Sequence, residues 1–255
     1  AMTPSRILSI AGSDNSGGAG IQADIKTVTM LGGYAMTAIT AVTAQDTTGV
    51  HAVVALSPEI VGAQIDACVQ DIGVDAVKIG MLGSPAIAQV VADRLEALDA
   101  PIVFDPVMVA TSGGVLADAA TIAAFGRLME LATLSTPNVP ELEALGGDAA
   151  LAARGVAYLA KGGDAEGEVV EDRLVVPGLE PVIWQSPRID TRHTHGTGCT
   201  LSSAIATLLA QGQGLEDAVF GARQFVRAAL TAAPRFGKGH GPLGHQAVSF
   251  FGQQS

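Results

Sequence analysis

Apolar residues along the chain fall into two alternating patterns, short β-rich runs and longer stretches with helical spacing. Arg6–Ala11 reads as a first strand, followed by a glycine-rich loop and a helix from about Gly20 to Leu31. Ala35–Thr43 and Val50–Leu56 read as strands around the turn-rich Gln45-Asp46-Thr47-Thr48-Gly49. Pro58 opens a helix to about Asp71, Ala76–Ile79 is a buried strand, and Pro85 leads a helix ending near Leu98. Ile102–Phe104 is a strand with Asp105-Pro106 at its carboxyl end, and Ala119–Leu131 is helical. Thr133–Thr136 and Val156–Ala160 are strands, the second running into Lys161-Gly162-Gly163. Glu168–Val176 and Val182–Trp184 look antiparallel and extend one edge; Leu201–Leu209 and Glu216–Ala229 are the last helices. The alternation predicts an α/β fold with a mostly parallel central sheet and helices on both faces. No linker or repeat interrupts it, so residues 1–255 read as one domain. Ligands in such folds bind beyond the carboxyl ends of the strands, where Gly12–Gly20, Asp105, Asn138, Glu141 and Lys161 all fall.

Composition narrows the chemistry. Twenty-five acidic against 14 basic residues give a net charge of −11, which argues against nucleic acid or an anionic membrane as partner. No apolar run approaches a membrane span, and Ala1-Met2-Thr3-Pro4-Ser5 lacks the apolar core of a secretion signal. Ala1 ahead of Met2 reads as a remnant of expression. The two cysteines, Cys68 and Cys199, cannot form a disulfide scaffold and lack metal-ligand spacing, so a cytoplasmic setting is expected. In so acidic a chain a bound phosphate must draw on few cations and on helix starts, which singles out Lys161 beside two glycines.

The densest motif is His195-Gly196-Thr197-Gly198-Cys199-Thr200, ahead of an apolar helix. A helix start offers unpaired N–H groups and a positive field to a phosphoryl group, and is expected to lower the pKa of a thiol placed there. Gly12 to Gly20 supplies a second glycine-rich loop. One loop for a phosphate and one for a small substrate outline a kinase. Gly18-Ala19-Gly20-Ile21-Gln22-Ala23 fits the dinucleotide pattern G-x-G-x-x-A, but Asp14, Asn15 and Ser16 intervene after the strand and no acidic ribose partner follows. There is no P-loop. Phosphoryl transfer still needs charge neutralisation, and Asp105 and Glu141 are candidate magnesium organisers, although Pro137 and Glu141 also suit an ordinary helix start. No histidine has zinc-site spacing; His195 stands out by position. The methionines read as core filler, with Met81 beside Gly80 placed to line an aromatic ring.

Taken together, Ala11 to Asp24, Ala44-Gln45, Lys78-Ile79-Gly80-Met81-Leu82, Phe104-Asp105-Pro106-Val107-Met108, Thr136-Pro137-Asn138, Lys161-Gly162-Gly163 and Thr194 to Thr200 resemble the hydroxymethylpyrimidine and phosphomethylpyrimidine kinases of thiamine synthesis, within the ribokinase-like superfamily. The resemblance runs from Ile7 to about His245. It implies that Asp24 and Gln45 hydrogen-bond the aminopyrimidine and its hydroxymethyl group, and that Gly12, Met81 and Val107 line the pocket. It further implies magnesium on Asp105 and Glu141, and ATP held by Asn138, Lys161, Thr197 and Gly198. Gly196 and Gly198 would form the anion hole, with Lys161 as catalytic cation and Cys199 where many ribokinase-like enzymes carry an aspartate base. A homodimer is the family habit, and a pyridoxal or pyridoxine kinase is the alternative reading, because the same loops accept a ring bearing a hydroxymethyl group. Departures are His193 and Gly244, where the family usually has Asn, and a short interval from Glu141 to Lys161, in which Ala149–Arg154 is the remnant of an expected helix.

Overall fold

The computed structural model describes residues 2–110 and 114–248, so the expectation for Ala1 lies outside the described residues. The first half contains β1 (Arg6–Asp14), α1 (Gly20–Met30), β2 (Tyr34–Gln45), β3 (Val50–Ala55), α2 (Pro58–Ala67), β4 (Ala76–Ile79), α3 (Pro85–Leu95) and β5 (Ile102–Phe104). Then follow α4 (Ala119–Ala123), α5 (Phe125–Leu131), β6 (Leu134–Ser135), α6 (Val139–Ala144), α7 (Gly147–Arg154) and β7 (Tyr158–Ala160). β8 (Val169–Val175), β9 (Val182–Pro187), α8 (Thr197–Ala210) and α9 (Leu215–Thr231) complete the order. Among the described residues the strands form a nine-stranded sheet in the order β3-β2-β1-β4-β5-β6-β7-β8-β9. Strands β2 through β7 in this order pair in parallel, while β3 at one edge and β8 and β9 at the other run antiparallel.

Because side chains alternate along a strand, each central strand feeds two cores. Leu8, Ile10, Val77, Ile79 and Phe104 pack with α2, α3 and α5 on one face. Ile7, Ala76 and Val103 face α1, α8 and α9 on the other. Alternation also sends Ser9 and Lys78, which lie opposite one another in the β1–β4 register, toward α1 and α8.

Four expectations are corrected. The helix from Pro58 ends at Ala67 and continues as one π turn, Cys68–Ile72, before Gly73 at φ 85° releases the chain. The expected helix over Ala119–Leu131 breaks at Ala124 into α4 and α5. The short interval before β7 holds two helices, α6 and α7, not one remnant, because Asn138 and Glu141 close a reciprocal capping box at the start of α6. Finally, α8 starts at Thr197, not Leu201; Gly196 at φ 90° is its N-cap, so the polar Thr197-Gly198-Cys199-Thr200 forms the first turn.

Candidate active site

A cavity of about 920 Å³ opens beyond the strand ends, lined by the loops after β1, β4, β5 and β7 and the first turn of α8. Lys161 leaves β7 with its N–H donating to the Pro137 carbonyl (2.9 Å), which directs its ammonium to Asp105 Oδ1 at 3.3 Å. A Cβ on Gly198 would lie 3.3 Å from Lys161 Nζ and 3.4 Å from Asp105 Oδ2, so the bare helix start, the cation and the carboxylate converge on one region. Thr197 spends both its N–H and its hydroxyl on the Thr194 carbonyl, and the Thr200 N–H is taken by Gly196. The Gly198 and Cys199 N–H groups are left without a main-chain partner among the described residues, the arrangement of an anion hole. The Gly196 N–H likewise has no main-chain partner among the described residues, and this glycine also passes so close to the Gly18 carbonyl that no Cβ fits.

The charges here are strongly linked. Burial alone would lower the Lys161 ammonium, but Asp105 and Glu141 hold it above the ordinary lysine value. Burial pushes the Glu141 carboxyl up to about 7, against the pull of Lys161 and with Asp105 adding to the rise. Asp105 and Glu141 are both buried and both offer hard oxygens on the cavity wall. Among the described residues no group of three or more His, Cys, Asp or Glu could hold a metal ion. Two carboxylates with water and phosphate oxygens completing the shell suit magnesium, which seldom takes an all-protein cage.

Gly12, Gln45, Met81 and Val107 line the same cavity. The absence of a side chain at Gly12 admits the end of the Met81 thioether. Gln45 donates through Nε2 to Thr43 Oγ1 (2.7 Å), while its buried Oε1 has no partner among the described residues. Asn138 faces the cavity through its amide nitrogen, which donates to Asp164 (2.9 Å) because Oδ1 is engaged in the helix cap.

Two expectations are corrected. Asp24 is fully buried and does not line the cavity. Its carboxylate accepts from Lys78 Nζ (2.9 and 2.8 Å), Ser9 Oγ (2.6 Å) and Ser203 Oγ (2.5 Å), leaving it no freedom to bind a ring. The Cys199 thiol is not lowered by the helix start: burial pushes it up, with Asp24 and Asp105 adding to the rise, against the pull of Lys78 and the Gly20 N–H.

Three features escaped the sequence reading. Lys78 lies in a buried run, where a charge needs a partner, and Asp24 shares the buried stripe of α1 with Ile21 and Val28. These two facts together signalled the pair. Asp14 gathers the first loop, accepting from Ser16 N and Oγ, Gly18 N, Ala19 N and His195 Nε2. The Asp14-x-Ser16 spacing of an Asx-turn was its signal. Arg223 and Asp172 form a buried pair on the cavity wall, joining α9 to β8, and nothing in their spacing announces it.

Solved structures share this architecture. The ADP complex of a pyridoxal kinase from Bacillus subtilis matches with a TM-score of 0.88 and 34% identity, over 96% of this chain and 98% of that one. A phosphomethylpyrimidine kinase from Clostridium difficile matches with a TM-score of 0.74 and 37% identity, over 88% of this chain and 98% of that one. The fold is that of a ribokinase-like kinase. The family model for phosphomethylpyrimidine kinase covers residues 14–244. A hydroxymethylpyrimidine/phosphomethylpyrimidine kinase from Streptomyces coelicolor is 45% identical over 258 residues, spanning 96% of this chain and 95% of that protein. The chain belongs to the phosphomethylpyrimidine kinase family.

Glu141 gives a test of the charge cluster. Its folded pKa of about 7 lies above the unfolded value of about 4.3, so the folded state holds the proton more tightly. That contribution is complete below the unfolded value and is lost as pH rises through 7. Glu141→Gln should therefore gain about 1–3 kcal/mol of stability relative to the parent between pH 5 and pH 8. Urea unfolding at both pH values measures it, and an offset that does not grow with pH contradicts the assignment.

Proposed function

We propose that this chain, acting as a single domain, transfers the γ-phosphoryl of ATP to the hydroxyl of 4-amino-5-hydroxymethyl-2-methylpyrimidine, then phosphorylates the monophosphate to the diphosphate for thiamine biosynthesis. What carries the reading is the near full-length match to the Streptomyces coelicolor kinase of that name. The geometry supports it. The unpartnered Gln45 Oε1 suits the amino group of the ring, and Gly12, Met81 and Val107 give it an apolar slot.

The triphosphate lies against Lys161, Asn138 and the Gly198 and Cys199 N–H groups, with Thr197 beside them. Asp105 and Glu141 would hold magnesium, which would supply neutralisation of phosphoryl charge. As the alcohol oxygen attacks the γ-phosphorus, its proton passes to the Cys199 thiolate and ADP departs. Burial makes that thiolate scarce and correspondingly more basic. The monophosphate is already anionic and needs no such base; it needs positive charge, from Lys161 and the amides of α8.

The second reading is a pyridoxal kinase, favoured by the higher TM-score of the Bacillus subtilis structure over the Clostridium difficile one. Rates with each ring under matched ATP and magnesium decide between them, and pyridoxal turning over faster than the pyrimidine would reverse the choice.

A homodimer fits the exposed apolar face of β2 and β3, where Val42 lies opposite Val54 and Ala44 opposite Ala52; sedimentation as a monomer at micromolar concentration would remove it. No described helix is long and apolar enough to cross a membrane. We place the enzyme in the cytoplasm with ATP, and its charge of −11 sets nucleic acid aside as a partner.

Cys199→Ser should lose more than about tenfold in turnover on the alcohol, within the range for a lost general base, and much less on the monophosphate. A chromatographic assay separating mono- from diphosphate reads both steps, and equal small losses on both would remove Cys199 as base.

A further inference from the structure

Beneath the cavity, Lys78 is fully buried yet contributes to its lining. Both Asp24 oxygens lie 2.8–2.9 Å from its Nζ, and the same carboxylate is fixed by Ser9 from β1 and Ser203 from α8. The ammonium therefore cannot swing away. A Cβ on Gly80 would come within 2.9 Å of Nζ, so that glycine also leaves the lysine its place. Buried charge acts through a low effective dielectric, where its field reaches further than at the surface. Cys199 precedes Ser203 by one turn of α8, so it lies on the helix face that meets the Asp24–Lys78 pair, and Cys199 and Lys78 both line the cavity. The groups whose charge or hydrogen bonding acts on the thiol are Lys78 from β4, Asp24 and the Gly20 N–H from α1, and Asp105 after β5, with Lys161 beyond Gly198.

We propose that Lys78 is a positioning residue for phosphoryl transfer, a cation pinned by Asp24 under the cavity floor whose field supports the anionic Cys199 side chain as the acceptor alcohol gives up its proton. The proposal rests on Cys199 serving as the base. It gives Asp24 a place in the chemistry other than ring binding: the carboxylate holds Lys78 charged and fixes its position. Burial alone would strip the proton from Lys78, whereas the neighbouring anions keep it bound above the ordinary lysine range. Within the pair, Lys78 pulls the thiol down and Asp24 pushes it up.

The test is the pH dependence of iodoacetamide alkylation in a Cys68→Ala background, with EDTA present so that no divalent cation takes part. Lys78→Met should raise the midpoint for Cys199 by about one pH unit or more, and Lys78→Met with Asp24→Asn should raise it by less. The double variant leaves no unpaired buried charge, which keeps the test open if Lys78→Met does not fold. Loosened packing alone would move the midpoint the other way, toward the exposed-thiol value of about 8.5. With the Lys78 side chain unaltered, its labelled ε-carbon should shift with the midpoint of the thiol. A midpoint that is unchanged or lowered in a folded variant, or a Lys78 resonance indifferent to the thiol, overturns the proposal. Failure of the base assignment reads out separately, as full alcohol turnover in Cys199→Ser while the thiol still answers to Lys78.

Discussion

An ion pair shut away from water, Lys78 with Asp24, stands where β1, β4, α1 and α8 meet, and the active-site cavity rests on it. Taking two charges out of water costs several kcal/mol each, so such a pair persists only with near-complete hydrogen bonding. Ser9 and Ser203 supply the rest of that bonding, and each belongs to a different element. The pair thereby fixes the distance between the central strands and the two helices whose N-termini meet at Cys199. Apolar residues of the same volume would serve stability about as well; what the charges add is a fixed field below the reacting atoms.

Above that floor the protein handles a second electrostatic problem. Its net charge is −11, yet it receives a polyanion. The answer is local concentration: Lys161 at the end of β7, the open first turn of α8, and two buried carboxylates suited to a divalent cation. Burial and Asp105 both disfavour the charge of Glu141. A magnesium ion would relieve both effects at once, linking cation binding to the proton on Glu141.

The sheet was largely legible in the sequence, because buried strands show as unbroken apolar runs bounded by turn residues. Ala76–Ile79 and Ile102–Phe104 match β4 and β5 residue for residue. Helix ends were harder to read. The first turn of α8 is polar because its N–H groups serve a ligand, so an apolar-stripe criterion starts the helix four residues late at Leu201. Among the cavity-lining positions, Gly12, Met81, Asp105 and Lys161 were found from their place at the strand ends, and Gln45 through motif resemblance. Asp24 shows the limit of that route. A motif says that a residue matters, but only burial and partners say whether it touches the ligand or holds what does. The acidity of Cys199 was misjudged for a related reason: helix position can be read from spacing, whereas desolvation depends on everything packed around the sulfur.

If the floor of the site is a coupled pair, its two members must not act independently. A double-mutant cycle on Lys78→Met and Asp24→Asn, read by urea unfolding, measures this directly. Each single change leaves a buried charge without its partner and should cost about 3–5 kcal/mol, while the double change should cost at least about 2 kcal/mol less than their sum. Costs that simply add would mean that the two charges do not depend on one another, and the account of the site built on them would fail.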